Sequence, residues 1–250
     1  MKKVSVIICA YNEEKTIKDV VKSVSGAEIA DEIIVVNDGS TDSTMEMIEA
    51  LKKEFEITAI HLSKNMGKGY AMAIGVENTN FDLMVFVDAD QRIIPTGYIK
   101  HLASPLLSNE CDMVLGYTTV NVLNQEVNPF KILTGERSLY KKDIAPILEK
   151  MKETRFGVET LLYLYYSSLE KSLKFIYLAG MEHNDKYKKM NFIKATTSYF
   201  NEGWEIAYIT MNNYDLLLKI INRKVKKLYG YPCFDKITKQ YQQLLAILRY

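Results

Sequence analysis

The sequence predicts an α/β protein: a mostly parallel sheet with helices on both faces and a helical C-terminal appendage. Three observations carry this. Apolar runs rich in β-branched residues recur through the first half, at 4–10, 32–36, 57–62, 83–87 and 112–116. Segments with helical apolar spacing separate them, and turn residues and carboxylates stand where the runs end. A strand that is apolar on both faces is buried on both sides, as in a parallel sheet covered by helices.

Residues 4–10 form the first strand. Asn12 is then placed to cap a helix whose apolar positions are Ile17, Val20, Val21 and Val24, with Glu13 and Glu14 in its first turn, where the helix dipole favours negative charge. The second strand, 32–36, leads through a turn at 37–41, with Thr41 or Asp42 as cap, into a helix carrying Met47, Ile48, Leu51 and Phe55. A third strand, 57–62, precedes a loop at 63–69 and a helix running through Val76. The fourth strand, 83–87, ends at Asp88-Ala89-Asp90. After Pro95 come a helix and a fifth strand, 112–116. Residues 137–150 and 158–168 read as helices, 173–178 as a last strand, and 185–250 as a Lys- and Tyr-rich helical extension with a break near Gly230-Tyr231-Pro232. The expected division is a domain at 1–184, split at 117/118, followed by the extension.

Composition excludes several classes. A quarter of the 250 residues are charged, yet the net charge is only +1, which gives no argument for nucleic acid. Cys9, Cys111 and Cys233 form no C-x-x-C and no framework of pairs, so Cys9 and Cys111 read as small core residues in a reducing compartment. No stretch approaches the roughly 18 apolar residues of a membrane span, and the N-terminal run is too brief for a signal peptide. The expected location is cytoplasmic, with peripheral contact at the inner membrane face left open.

Ligands of an open parallel sheet bind beyond the carboxyl ends of its strands. Four successive strand ends here carry Tyr11-Asn12, Asn37-Asp38-Gly39-Ser40, Asn65-Met66-Gly67-Lys68-Gly69 and Asp88-Ala89-Asp90. Right-handed crossovers bring all four to one rim. In an extended chain Asp88 and Asp90 point the same way, roughly 7 Å apart, a spacing suited to a hard divalent cation and a diphosphate bound to it. Gly67-Lys68-Gly69 lacks the length and trailing hydroxyl of a P-loop, but a mobile lysine between glycines can reach a nucleotide.

Taken together, Val4–Glu13, residues 32–42, Asn65–Gly69 and Val87–Asp90 resemble the family-2-like glycosyltransferases of GT-A fold. The resemblance is close over roughly residues 3–120. Cys9 stands where proline is common. The resemblance implies a nucleotide-diphosphate sugar donor, UDP favoured and GDP second, contacted by Ala10, Tyr11, Glu13, Asp38, Lys68, Asp88 and Ala89. Tyr11 and Asp38 would flank the base. Mn²⁺ or Mg²⁺ would be held by Asp90, with Asp88 near the ribose or metal. A looser match, through Thr134–Arg137, Arg155–Thr160 and Ala179–His183, is similar to the acceptor side of glucosyl-3-phosphoglycerate synthases and polyprenyl-phosphate sugar transferases. By that match Glu159 lies in the acceptor site and His183 is a further metal ligand.

A hydroxyl acceptor needs a base, a role open to Glu159; a phosphate acceptor does not. The loop 118–131 has Lys131 as its single basic residue, poor equipment for phosphoglycerate. Lys219, Arg223, Lys224, Lys226 and Lys227, amid Ile220, Ile221, Val225, Leu228 and Tyr229, form a basic amphipathic helix suited equally to an anionic membrane, to the core or to a second subunit. Two alternatives stand beside sugar transfer. A sugar nucleotidyltransferase normally has a glycine-rich, arginine-containing loop where Cys9–Glu13 stands here. A non-catalytic nucleotide-sugar-binding protein has no need of intact Asp88, Asp90 and Glu159.

Overall fold

The computed structural model describes residues 2–95, 97–117, 134–155, 157–178, 182–183, 204 and 206–229. Strand and helix alternate through β1 (Val4–Ala10), α1 (Ile17–Ser25), β2 (Glu32–Asn37), α2 (Thr44–Leu51), β3 (Thr58–His61), α3 (Lys68–Glu77) and β4 (Leu83–Asp88). Next come β5 (Gln91–Ile93), α4 (Tyr98–Leu107), β6 (Met113–Tyr117) and β7 (Arg137–Tyr140). Short helices α5 (Lys141–Ile144) and α6 (Leu148–Glu153) lead to α7 (Val158–Ser168), β8 (Leu173–Tyr177), β9 (Glu182–His183) and α8 (Tyr214–Tyr229).

Seven strands form one sheet in the order β3-β2-β1-β4-β7-β6-β8, and β5 pairs with β9 in a second, two-stranded sheet. In the large sheet only β7 is antiparallel to its neighbours, β4 and β6. The side-chain alternation of each strand feeds two cores. Val4, Val6 and Ile8 of β1, with Leu83, Val85 and Val87 of β4, meet Val20, Val21 and Val24 of α1 and Leu102 and Leu106 of α4 on one face. Ile7, Met84 and Phe86 face the other way, toward Met72 and Val76 of α3 and Leu161 and Leu162 of α7. Each of these buried apolar side chains contributes about 1.5–3 kcal/mol, which holds the strand ends in register. The expected parallel sheet with two covered faces is what forms.

Two expectations are corrected. Asn12 does not cap α1: it sits at φ 55°, and the helix begins only at Ile17, after Thr16. Its side-chain oxygen instead accepts from the Thr41 N–H at 2.8 Å, lashing the first rim loop to the second, and Glu13 and Glu14 lie in the turn ahead of the helix. Residues 137–150 are not one helix. Leu139, Ile144, Ile147 and Met151 mimic helical spacing, but the gap between β4 and β6 offers two open strand edges, and Arg137–Tyr140 fills it as β7. Pairing on both sides satisfies backbone groups that a helix would leave facing two bare edges.

α8 lays Leu216 and Ile220 against the second core, and Arg223 donates to the Ser168 carbonyl at the end of α7. Its basic residues Lys219, Arg223, Lys224, Lys226 and Lys227 are exposed. No helix among the described residues is long and apolar enough to cross a membrane. The expected loop at 118–131, the stretch Ala179–Met181, most of 185–250 and the break at Gly230-Tyr231-Pro232 lie outside the described residues.

Candidate active site

The carboxyl ends of β1, β2 and β4 open onto a cavity of about 270 Å³. Ala10, Tyr11, Glu13, Asp38, Lys68, Asp88, Ala89 and Asp90 all line it, together with Cys9 and Asn65. Residues from four separate chain segments therefore converge on one rim, as their order in the sequence predicts.

The first two loops are tied together from below. The Asn12 N–H donates to the Ser40 hydroxyl at 2.9 Å and the Glu13 N–H to the Thr44 hydroxyl at 2.8 Å, which leaves Tyr11 43% exposed above them. Asp42 caps from two positions ahead of α2, accepting from the Thr44 N–H at 3.0 Å. Asp38 is 3% exposed, and its two oxygens accept from the N–H groups of Met66 and Gly67 at 2.7 and 2.9 Å. Burial pushes its carboxyl up, opposed by those two bonds. Its established work is thus to hold the third loop. Gly67, at φ 99°, permits that loop to turn into α3, where a Cβ would also strike the Arg155 Cα at 2.7 Å.

Lys68 is the first residue of α3, and its side chain is paired rather than free. Its Nζ lies 2.8 Å from Asp88 Oδ1 and 2.8 Å from Glu159 Oε1. Burial opposes the charge, yet the two carboxylates hold the ammonium above the ordinary lysine range. One cation thus links the end of β4 to the first turn of α7, where Glu159 is 6% exposed. Asp88 and Asp90 are half-buried at the cavity wall. Cys9 is half-buried, packed against the core on one side and lining the same wall on the other, and burial pushes its thiol up to about 12, which disfavours the thiolate. Cys111 is the core residue expected.

Sequence reasoning passes over the residues beneath the paired aspartates. Thr134–Arg137 is matched as a stretch, but no role attaches to its members. Glu136, 1% exposed, accepts from the Asp88 N–H at 3.2 Å and from the Gln91 side-chain amide at 3.0 Å. Burial and the neighbouring Asp88 hold its carboxyl well above the usual range. Arg137 is fully buried, donates to the Thr134 carbonyl, and is pulled below its ordinary value by burial, against the fields of Glu159 and Asp88. A polar triplet ahead of an unrecognised strand was the available signal. In the β5–β9 ladder His183 stands opposite Gln91, the residue after Asp90.

Among the described side chains no group of three His, Cys, Asp or Glu could hold a metal ion. The donor chemistry nevertheless fits a hard cation: Asp88 and Asp90 offer oxygens only, and oxygens of a bound diphosphate would complete the set. The charged residues on the wall are Glu13, Asp38, Asp88 and Asp90 against Lys68. A bare diphosphate meets net repulsion there, most of which an accompanying divalent cation would offset.

The sequence profile of Glycosyl transferase family 2 matches residues 5–173. The chain belongs to that family. Two poly-beta-1,6-N-acetyl-D-glucosamine synthases illustrate the likeness. The one from Staphylococcus epidermidis is 35% identical over 88 residues, and that from Staphylococcus aureus (strain COL) is 33% identical over 88. The matched stretch covers 35% of this chain but only 21% of either relative, so the chain spans about a fifth of their length. Among solved structures, glucosyl-3-phosphoglycerate synthase from Mycobacterium tuberculosis, in complex with Mn²⁺, UDP and glucosyl-3-phosphoglycerate, superposes with a TM-score of 0.59 at 24% identity, covering 74% of this chain and 73% of that one. The same enzyme with Mg²⁺ and UDP superposes equally, at 0.59. These likenesses make the fold of this family 2 member GT-A.

Proposed function

We propose that this family 2 protein transfers a sugar from a nucleotide-diphosphate sugar, with UDP as the favoured nucleotide and GDP second. The observation that carries the reading is the carboxylate-rich cavity at the strand ends, where the D-A-D turn, Tyr11 and Asp38 meet. Tyr11 offers an exposed ring for the base, while Asp38 keeps the facing loop in place and has lone pairs left for base or ribose. Asp90, Asp88 and His183 would hold Mn²⁺ or Mg²⁺; when bound, the ion neutralises charge growing on the departing diphosphate. The fold relatives bound to UDP with Mn²⁺ or Mg²⁺ support this assignment.

Glu159 faces the acceptor side. Paired with Lys68, it takes a proton from a hydroxyl acceptor or orients a phosphate acceptor that needs no base. The exposed lysines and arginine of α8 support a lipid-linked acceptor at an anionic membrane surface. A domain at 1–184 followed by an extension at 185–250 remains the working division.

Thermal-shift titration with UDP and GDP, each with and without Mn²⁺, tests the donor assignment. A ligand at a hundredfold its Kd stabilises by about 2.7 kcal/mol, a readily measured shift. The expected result is a rise with UDP that requires Mn²⁺. Equal shifts with and without the metal would refute the metal-bridged donor site.

A further inference from the structure

The structure places a buried acid under the paired aspartates, and its bonds suit one purpose. Asp88 opens the turn and Gln91 follows it. Glu136 Oε1 accepts from both: from the Asp88 backbone N–H at 3.2 Å and from the Gln91 side-chain amide at 3.0 Å. One oxygen thus brackets the four-residue segment that carries both aspartates. Gln91 also pairs in the small ladder opposite His183, so the same oxygen connects the turn to the strand bearing that histidine. The residue before Glu136 is part of the same support: a Cβ on Gly135 would lie 2.1 Å from Asp88 Oδ2. Glu136 itself is 1% exposed and lies at the foot of β7, which sits antiparallel between β4 and β6.

We propose that Glu136 is the positioning residue of the metal site, fixing the Asp88–Gln91 turn so that Asp90, Asp88 and the strand of His183 meet one cation together. This rests on the metal-bridged reading of the cavity. Glu136 does not touch donor or cation; it acts through the turn. Partners one shell outside a metal's ligands typically set affinity by about 10- to 100-fold. A glutamine keeps the accepting oxygen and the shape, whereas methionine keeps only the volume.

The test is the Mn²⁺ concentration giving half-maximal UDP binding, measured by calorimetry on the full chain, with the melting temperature recorded in parallel. Glu136→Met is expected to raise that concentration by about tenfold or more. Glu136→Gln restores it to within about twofold of the parent. Gln91→Met, which removes the second donor, falls between the two and carries the test if Glu136→Met does not fold. A Glu136→Met or Gln91→Met protein that melts earlier but keeps the parent Mn²⁺ midpoint would overturn the proposal and leave Glu136 a strut. If the parent itself binds UDP equally with and without Mn²⁺, the metal reading falls and this proposal with it. A metal-dependent parent with unshifted variants sinks the proposal alone.

Discussion

Gly135→Ala is the sharpest perturbation the geometry offers. Gly135 is buried against the Asp88 carboxylate, and an added Cβ would sit 2.1 Å from Oδ2, 2.3 Å from Oδ1 and 2.4 Å from Cγ. An ordinary contact is about 3.5 Å, so the carboxylate must retreat by about 1 Å. Asp88 is short, and its Oδ1 is pinned by Lys68 at 2.8 Å, so the retreat stretches that ion pair or drags the D-A-D turn with it. Overpacking of this size costs about 1–3 kcal/mol of stability, which a domain of this size survives. A misplacement of about 1 Å at a reacting centre costs on the order of 100-fold in rate. The expected result is a folded protein whose metal-dependent donor hydrolysis or transfer falls about 100-fold, with a melting temperature lowered by a few degrees. Coupled release of nucleoside diphosphate, followed from UDP-sugar donors, measures it. Parent-like turnover in a folded Gly135→Ala protein would refute the claim that the Asp88 carboxylate must stay where it is.

Two further outcomes follow from the charges. Lys68→Met leaves Asp88 and Glu159 without their shared cation; with all three side chains a quarter exposed or less, stability should fall by roughly 2–3 kcal/mol, somewhat under the loss for a fully buried pair. Added Mn²⁺ should recover part of that loss in denaturant titrations, and a loss indifferent to the metal would count against a cation at this carboxylate cluster. Asp112 joins β6 to β8 by accepting from the Ser172 N–H at 2.8 Å and hydroxyl at 2.7 Å. Burial opposes its ionisation, but the Ser172 bonds and the Lys171 charge outweigh burial and hold it below the usual carboxylate range. Its stabilising contribution is therefore present above about pH 3.9 and lost as pH falls through its lowered folded value. Asp112→Asn should cost under about 1 kcal/mol at pH 7, because the side chain is 38% exposed, and should flatten the acid limb of the stability curve. UDP binding should be unchanged; an unaltered acid limb would contradict the assigned role of Asp112.

Most of the first half was legible because its strands are apolar on both faces and its helices carry regular apolar spacing. β1, β2 and β4 announce themselves in this way, and the chirality of crossovers then puts Tyr11, Asp38, Lys68 and Asp88 on one rim without any coordinates. The failures share one cause: local pattern cannot see a distant partner. Arg137–Tyr140 is a strand because β4 and β6 leave a gap for it, and nothing within those four residues records that gap. The state of Lys68 was misread likewise, since flanking glycines suggest freedom while Asp88 and Glu159, 20 and 91 positions away, supply the restraint. Asn12 looks like a cap, but its work is cross-loop, to Thr41. Glu136 escaped because a buried acid under a turn carries no periodic signature at all.

The central claim is that the paired aspartates take hold of a nucleoside diphosphate through a divalent ion. Calorimetric titration of UDP into the parent and into Asp90→Ala, with and without Mn²⁺, measures this most directly. The account predicts binding to the parent that requires Mn²⁺, and a loss of that dependence together with turnover in Asp90→Ala. Parent-like, Mn²⁺-dependent affinity in Asp90→Ala would contradict it.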